Sequence, residues 1–143
     1  MICIKTGKGL TIDEITMINK FIDEYNNAFY VYYTHYLEIN NYILYDLDEH
    51  NNIHAYIGCI YDNDIIIVNQ FKIENNDIQI AQKILDTIKK IVKHKQLLIF
   101  VNICDYMIDY FKLLGFNISD YAYNTEDKIA MIQKILAINK KMI

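Results

Sequence analysis

The chain contains no arginine, no proline and no tryptophan, and only four glycines and three cysteines among its 143 residues. With no guanidinium, every anion must be met by lysine, by histidine or by backbone N–H groups. The cysteines, at positions 3, 59 and 104, are odd in number and widely spaced. That spacing argues against a disulfide framework and a CxxC metal site, and it fits a reducing, cytoplasmic compartment. No stretch gathers five or six like charges, and 14 Lys stand against 18 Asp plus Glu for a formal charge of −4. A nucleic-acid partner is therefore not expected, since phosphate binding needs a basic face. The longest apolar runs, such as Leu97 to Val101, fall far short of the ~18 residues that read as a membrane span. The first residues lack a basic region followed by an apolar core, so no signal peptide is expected either.

What is present is 29 Ile, 15 Asn and 13 Tyr, a bias toward A- and T-rich codons. A length of 143 residues suits one domain, which can bury about 68–70% of its unfolded surface without metal or disulfide. The Asn pairs at 26–27, 40–41, 51–52 and 75–76 fall between periodic segments and mark turns, because Asn tolerates left-handed backbone.

Ile2 to Lys5 reads as a short strand. Thr11-Ile-Asp-Glu14 is a capping box, and Ile12, Ile15, Ile18, Ile22 and Tyr25 then recur at helical spacing, giving a helix from 11 to about 27. After an aromatic stretch, Ala28 to Tyr36, the segments Tyr42 to Asp48 and Ile53 to Asp62 flank Glu49-His-Asn-Asn52 as a β-hairpin, and a tight turn leads into Ile65 to Ile73. From Asp77 the period becomes helical, with Ile84, Leu85, Ile88, Ile91 and Val92 on one stripe. Leu97 to Asn102 is a strand, expected to lie parallel to 65–73, and Asp105 to Leu114 a helix with Gly115 as its cap. The final run from Ile129 to Ile138 leans slightly to helix by periodicity, but it is also long enough for a strand.

This order of elements resembles that of the GNAT superfamily of N-acetyltransferases. Ile57-Gly-Cys-Ile60 is similar to the family's third-strand "iGfi". Phe71-Lys-Ile73, followed by Ala81 and Ile84-Leu85, resembles the fourth strand and the helix with the acetyl-CoA signature. Phe111-Lys-Leu-Leu-Gly-Phe116 resembles the "YeklGF" that ends the fourth helix and is the most specific match. Residues 117–136 resemble the closing pair of strands, which turns the last segment toward strand.

The resemblance implies an α/β (α+β) fold: a single GNAT-like domain over 1–143 whose mixed, mostly antiparallel sheet has splayed parallel strands four and five, flanked by helices. Acetyl-CoA would sit where those strands splay, its pantetheine arm pairing like an extra strand beside Phe71, Lys72 and Ile73, and its pyrophosphate on the N–H groups that open the next helix. The signature R/Q-x-x-G-x-G/A falls on Asn76-Asp77-Ile78-Gln79-Ile80-Ala81, where Ala81 alone conforms. The missing glycines narrow the approach to the backbone, and Asp77 is placed to cap the helix with a carboxylate. Lys72, Lys83 and Lys112 are the nearest cations.

The family's acid, a Tyr, falls on Phe111, its Asn seven residues earlier on Cys104, and its fourth-strand Glu near Ile67. Proton transfer would then fall to water, to Cys104, to Glu74 or to the adjacent Tyr110, which a helix turns about 100° away from Phe111. Cys104 reads as a reactive thiol at a helix start or, more commonly, as a small buried hydrophobe. His50 and His54 straddle a hairpin turn, which does not suit a metal pair, and His35 reads as a solvated surface side chain. The stretch Phe29, Tyr30, Tyr32, Tyr33, Tyr36 occupies the family's acceptor-binding segment and fits either a substrate wall or ordinary packing. Two functions follow: an acetyl-CoA-dependent N-acetyltransferase acting on a small-molecule or protein amine, or a catalytically silent GNAT-like binding or assembly module. Either one is compatible with a homodimer.

Overall fold

The computed structural model describes residues 1–24, 28–62, 65–92, 96–102, 105–123 and 133–138. The elements in chain order are β1 (Ile2–Lys5), α1 (Ile12–Asp23), β2 (Tyr30–Tyr32), β3 (Tyr42–Leu47), β4 (Ile53–Asp62), β5 (Ile65–Ile73), α2 (Ile78–Val92), β6 (Gln96–Asn102), α3 (Asp105–Leu113), β7 (Phe116–Tyr123) and β8 (Gln133–Ile138). The strands form one sheet in the order β1-β3-β4-β5-β6-β8-β7, with β2 attached to β5 outside that path.

Among the described residues every strand pairing is antiparallel except β5 with β6, as the helical crossover through α2 requires. α1 begins as its sequence dictates, with Thr11 Oγ1 accepting from the Glu14 N–H and Glu14 Oε1 accepting from the Thr11 N–H, both at 3.1 Å. Asn51, Asn75 and Asn76 have φ of 63°, 55° and 52°, the left-handed backbone their pairs announce. Gly115, at φ 94°, ends α3 with its N–H on the Lys112 carbonyl.

Two apolar layers clothe the sheet. On one face α2 presses Ala81, Ile84, Leu85 and Ile88, all fully buried, against Ile57, Val68, Phe71 and Ile73, and α3 adds Phe111 and Leu114. Burying one such Ile or Leu contributes roughly 1.5–3 kcal/mol, so this stripe fixes where α2 starts. On the other face Ile18 and Phe21 of α1 pack with Ile43, Tyr45 and Tyr56.

The last segment is the strand toward which the resemblance turned it, and the slight helical lean of its periodicity is corrected. Gln133–Ile138 is a strand, bonded to β6 on one side and to β7 on the other. Two strand edges leave Ile135 and Ile138 a pleated place, and such context overrides local periodicity. Ile129 and Ile132, which carried the helical pattern, lie outside the described residues.

Candidate functional site

The site begins with Asn69. Gly58 faces Gln70 and Cys59 faces Val68 across the β4–β5 pair, so Asn69 is an extra residue in β5, a bulge that bends the strand. Before the bulge, Ile65, Ile66, Ile67 and Val68 pair with Gln96, Leu97, Leu98 and Ile99 of β6. Beyond it the parallel strands part: β6 continues against β8, while β5 runs on to Ile73.

The edge of β5 left by this parting is covered by β2. Tyr30, Val31 and Tyr32 lie opposite Lys72, Phe71 and Gln70. The Tyr33 N–H donates to the Asn69 carbonyl at 2.6 Å, and the Thr34 N–H and hydroxyl donate to Asn69 Oδ1 at 2.8 and 3.0 Å. At the other end the Phe29 N–H donates to Asn76 Oδ1 at 2.8 Å. Val31 is buried in the core, whereas Tyr32 is exposed and stacks on Tyr30 and His35.

Behind the bulge lies a buried polar network. Gln70 Oε1 accepts from the Tyr56 hydroxyl at 2.5 Å and from Asn40 Nδ2 at 3.2 Å, and Asn69 Nδ2 donates to Asn40 Oδ1 at 2.9 Å. Gln70 Nε2 reaches the Tyr30 hydroxyl at 3.4 Å. Burial pushes the Tyr56 phenol well above its usual range. It pushes Tyr30 up to about 12, against the hydrogen bond from Gln70. Both are neutral hydrogen-bonding groups at physiological pH. Gly58 makes room for this network: a Cβ there would stand 2.8 Å from both Asn40 Nδ2 and the Tyr56 oxygen.

The start of α2 is capped by Asp77, whose Oδ1 accepts from the N–H groups of Gln79 at 2.9 Å and Ile80 at 3.0 Å. The Ala81 N–H is bonded to the Asp77 carbonyl. Beside this cap stands Tyr110 of α3. Its ring meets Phe29 edge-on at 5.5 Å, and it is 7% exposed. Its hydroxyl is the one buried side-chain polar atom among the described residues without a hydrogen-bond partner. Burial raises its pKa, and the Asp77 charge adds to the effect.

The structure thus brings together Phe71, Asn76, Asp77, Ile78, Gln79, Ile80, Ala81 and Tyr110 around the end of β5 and the start of α2. Ala81 is wholly buried, whereas Ile78 and Gln79 face outward. Phe111 is also wholly buried, wedged between Phe71 and Phe116 with ring centroids 5.3 and 5.6 Å away. Ile73 belongs to the same core.

Two of the three lysines are engaged elsewhere. Lys72 points to the α1 face, where its ammonium donates to the carbonyls of Phe21 and Glu24 at 2.7 Å and of Ile22 at 3.1 Å. Burial lowers its pKa, with Glu24 and Asp23 opposing. Lys83 reaches Asp46, 3.4 Å away, and Lys112 is exposed. Glu74 lines a different hollow of about 240 Å³, with Lys20, Phe21, Glu24 and Asp48. Cys104 lies outside the described residues. His54 bonds Asp46 at 2.6 Å, and no group of three or more His, Cys, Asp or Glu suited to a metal occurs among the described residues.

No protein-family model matches the sequence, and no curated protein matches it. Solved structures do. An N-acetyltransferase from Staphylococcus aureus Mu50 superposes with a TM-score of 0.69 at 14% identity, covering 99% of both chains. A Bacillus anthracis protein assigned as a streptothricin acetyltransferase, in complex with acetyl coenzyme A, gives 0.66 at 11% identity over 96% of both. An acyl-CoA N-acyltransferase from Pseudomonas aeruginosa gives 0.62 at 12% over 96% of this chain and 97% of its own. The chain has the GNAT acetyltransferase fold over nearly its whole length. No helix of the described residues is long and apolar enough to cross a membrane.

Acetyl-CoA does not fit the arrangement as it is folded here. The edge on which the resemblance puts the pantetheine arm is filled by β2, and the helix N–H groups meant for the pyrophosphate are held by Asp77. The aromatic stretch is where sequence reasoning missed structure: Tyr30-Val31-Tyr32 has the aromatic and β-branched content of a strand, but three residues are too few to show a period.

Proposed function

We propose that the chain is an N-acetyltransferase, using acetyl-CoA as donor and an amine of a small molecule or protein as acceptor, and that the described conformation is its closed form. The observation that carries this reading is the parting of β5 from β6 at Asn69, which leaves the free edge of β5 to a three-residue segment. The acetyl coenzyme A complex of a neighbour with this fold supports it. Among the acid–base candidates, Tyr110 is favoured by its place beside Asp77 and α2, over Glu74 in its separate hollow and over Cys104.

A second reading, a silent binding or assembly module, is favoured by a specific observation: Asp77 puts a carboxylate where the resemblance puts a pyrophosphate, and like charges repel there. Thermal melts with millimolar acetyl-CoA, joined to detection of thiol released in the presence of polyamine, aminoglycoside and peptide amines, separate the two. A ligand at 100 times its Kd adds about 2.7 kcal/mol of stability, so the enzyme reading expects a clear rise in Tm and thiol release with one acceptor class. No rise and no thiol from any class hands the chain to the second reading.

A further inference from the structure

We infer that β2 is a displaceable strap: it occupies the cofactor edge of β5 in the free protein and must leave that edge before acetyl-CoA can bind. The inference rests on the acetyltransferase reading and adds to it how the site is regulated.

The strap makes the contacts of a ligand. A strand edge offers a row of backbone donors and acceptors that another extended chain can pair. The Tyr33 N–H on the Asn69 carbonyl fixes which pairs are bonded. Bonded and non-bonded pairs alternate in an antiparallel ladder, so Val31 and Phe71 form a bonded pair, while Tyr32–Gln70 is a close non-bonded one. These are the groups that the resemblance assigns to the pantetheine arm, so on the acetyltransferase reading strap and acetyl-CoA exclude one another.

The strap is also short, and of its three residues only Val31 is buried. It is three residues long, tied by Asn76 at one end and Asn69 at the other, with two of its tyrosine neighbours, Tyr33 and Tyr36, and Tyr32 itself exposed. Short segments with exposed bonds open first. Beneath it, Phe29 covers Tyr110, whose buried hydroxyl has no partner. A buried hydroxyl left unpaired is costly, and a shift of Phe29, whose ring meets Tyr110 edge-on, would alter its surroundings.

A protein whose competent state is a minor one binds more weakly in proportion to that state's population, so opening the strap should tighten acetyl-CoA binding by about tenfold or more. Two variants bracket the equilibrium. Val31→Pro removes the central donor of the strap. Tyr32→Cys with Gln70→Cys places two thiols on a close antiparallel pair, a separation a disulfide can span, and locks the strap when oxidised. Binding of acetyl-CoA is measured by calorimetry for wild type, Val31→Pro and the double variant in oxidised and reduced forms. Hydrogen exchange at the Phe71 amide reports whether the strap is open.

Tighter binding by Val31→Pro, loss of binding in the oxidised double variant and its recovery on reduction are the expected results. Equal affinity in all forms overturns the strap and leaves the acetyltransferase reading standing. A Val31→Pro protein whose Phe71 amide exchanges freely and which still takes no acetyl-CoA overturns both. Should Val31→Pro not fold, wild-type exchange decides: acetyl-CoA must speed exchange at residues 29–34 while 69–72 stay protected, and binding without that change removes the strap.

Discussion

The side-chain carbonyl of Asn76 accepts the backbone N–H of Phe29 at 2.8 Å, tying the loop that leads into α2 to the segment that pairs with the edge of β5. Asn76 does this from a left-handed backbone, φ 52°, so two effects meet in one residue and can be separated. Asn76→Gly keeps the conformation and removes the bond, about 0.5–1.5 kcal/mol. Asn76→Ala keeps a Cβ in left-handed geometry but loses the polar side chain that lets Asn tolerate it, a further cost of about 1 kcal/mol. Urea denaturation should rank wild type above Asn76→Gly above Asn76→Ala. Equal stability of the two variants would show that the backbone there relaxes.

Much of the fold was legible because its local signals agree with one another. The capping box at Thr11, the α2 stripe, the left-handed Asn residues of the pairs 51–52 and 75–76 and the Gly115 cap each have a local cause, and each stands where that cause put it, whereas Asn40 is extended and the pair 26–27 lies outside the described residues. The candidate site was legible only in part. Asp77 capping α2 follows from residue type and position. The pairing of Tyr30 with Lys72 joins residues 42 apart, and nothing within three residues announces a distant edge. The commitment of Lys72 to α1 was equally hidden, since a lysine near a signature loop looks like a phosphate ligand until the helix end it caps is in view.

Gly58 should tolerate no side chain. Its added Cβ would stand 2.8 Å from two members of the Asn40–Gln70–Tyr56 network and 2.9 Å from the Asn40 Cγ. All are held by buried hydrogen bonds, so none can yield cheaply. Gly58→Ala is expected to cost about 1–3 kcal/mol through overpacking, read as a lower midpoint in urea with unchanged slope. A neutral result would mean that the network is looser than its distances.

The acid limb of stability should depend on Asp46. Burial opposes its ionisation, but hydrogen bonds from His54 and the amino-terminal group, with the Lys83 charge, outweigh this and hold the carboxyl below the usual aspartate range. A depressed carboxyl contributes stability that is present above its unfolded value, about 3.9, and lost as pH falls through the folded one. Melts of wild type should therefore drop steeply below about pH 4. Asp46→Asn should start lower at pH 7 and flatten over that range. A parallel fall in the variant would assign the acid limb to other carboxylates, Glu14 first: the Tyr45 hydroxyl bond and the Thr11 cap also hold it below its usual value, against burial.

Tyr110→Phe gives the sharpest division between a structural and a functional hydroxyl. The oxygen is buried without a partner beside Asp77, a state that costs about 1–3 kcal/mol. Removing it should raise the Tm of the free protein by a few degrees. In a chain kept only for its fold, that gain would come with no loss. In the acetyltransferase reading the same change should weaken acetyl-CoA binding or slow thiol release, because the hydroxyl is then retained against its own cost. A more stable Tyr110→Phe with unaltered binding and turnover would remove Tyr110 from the chemistry and leave its packing against Phe29 and Phe111 as its role.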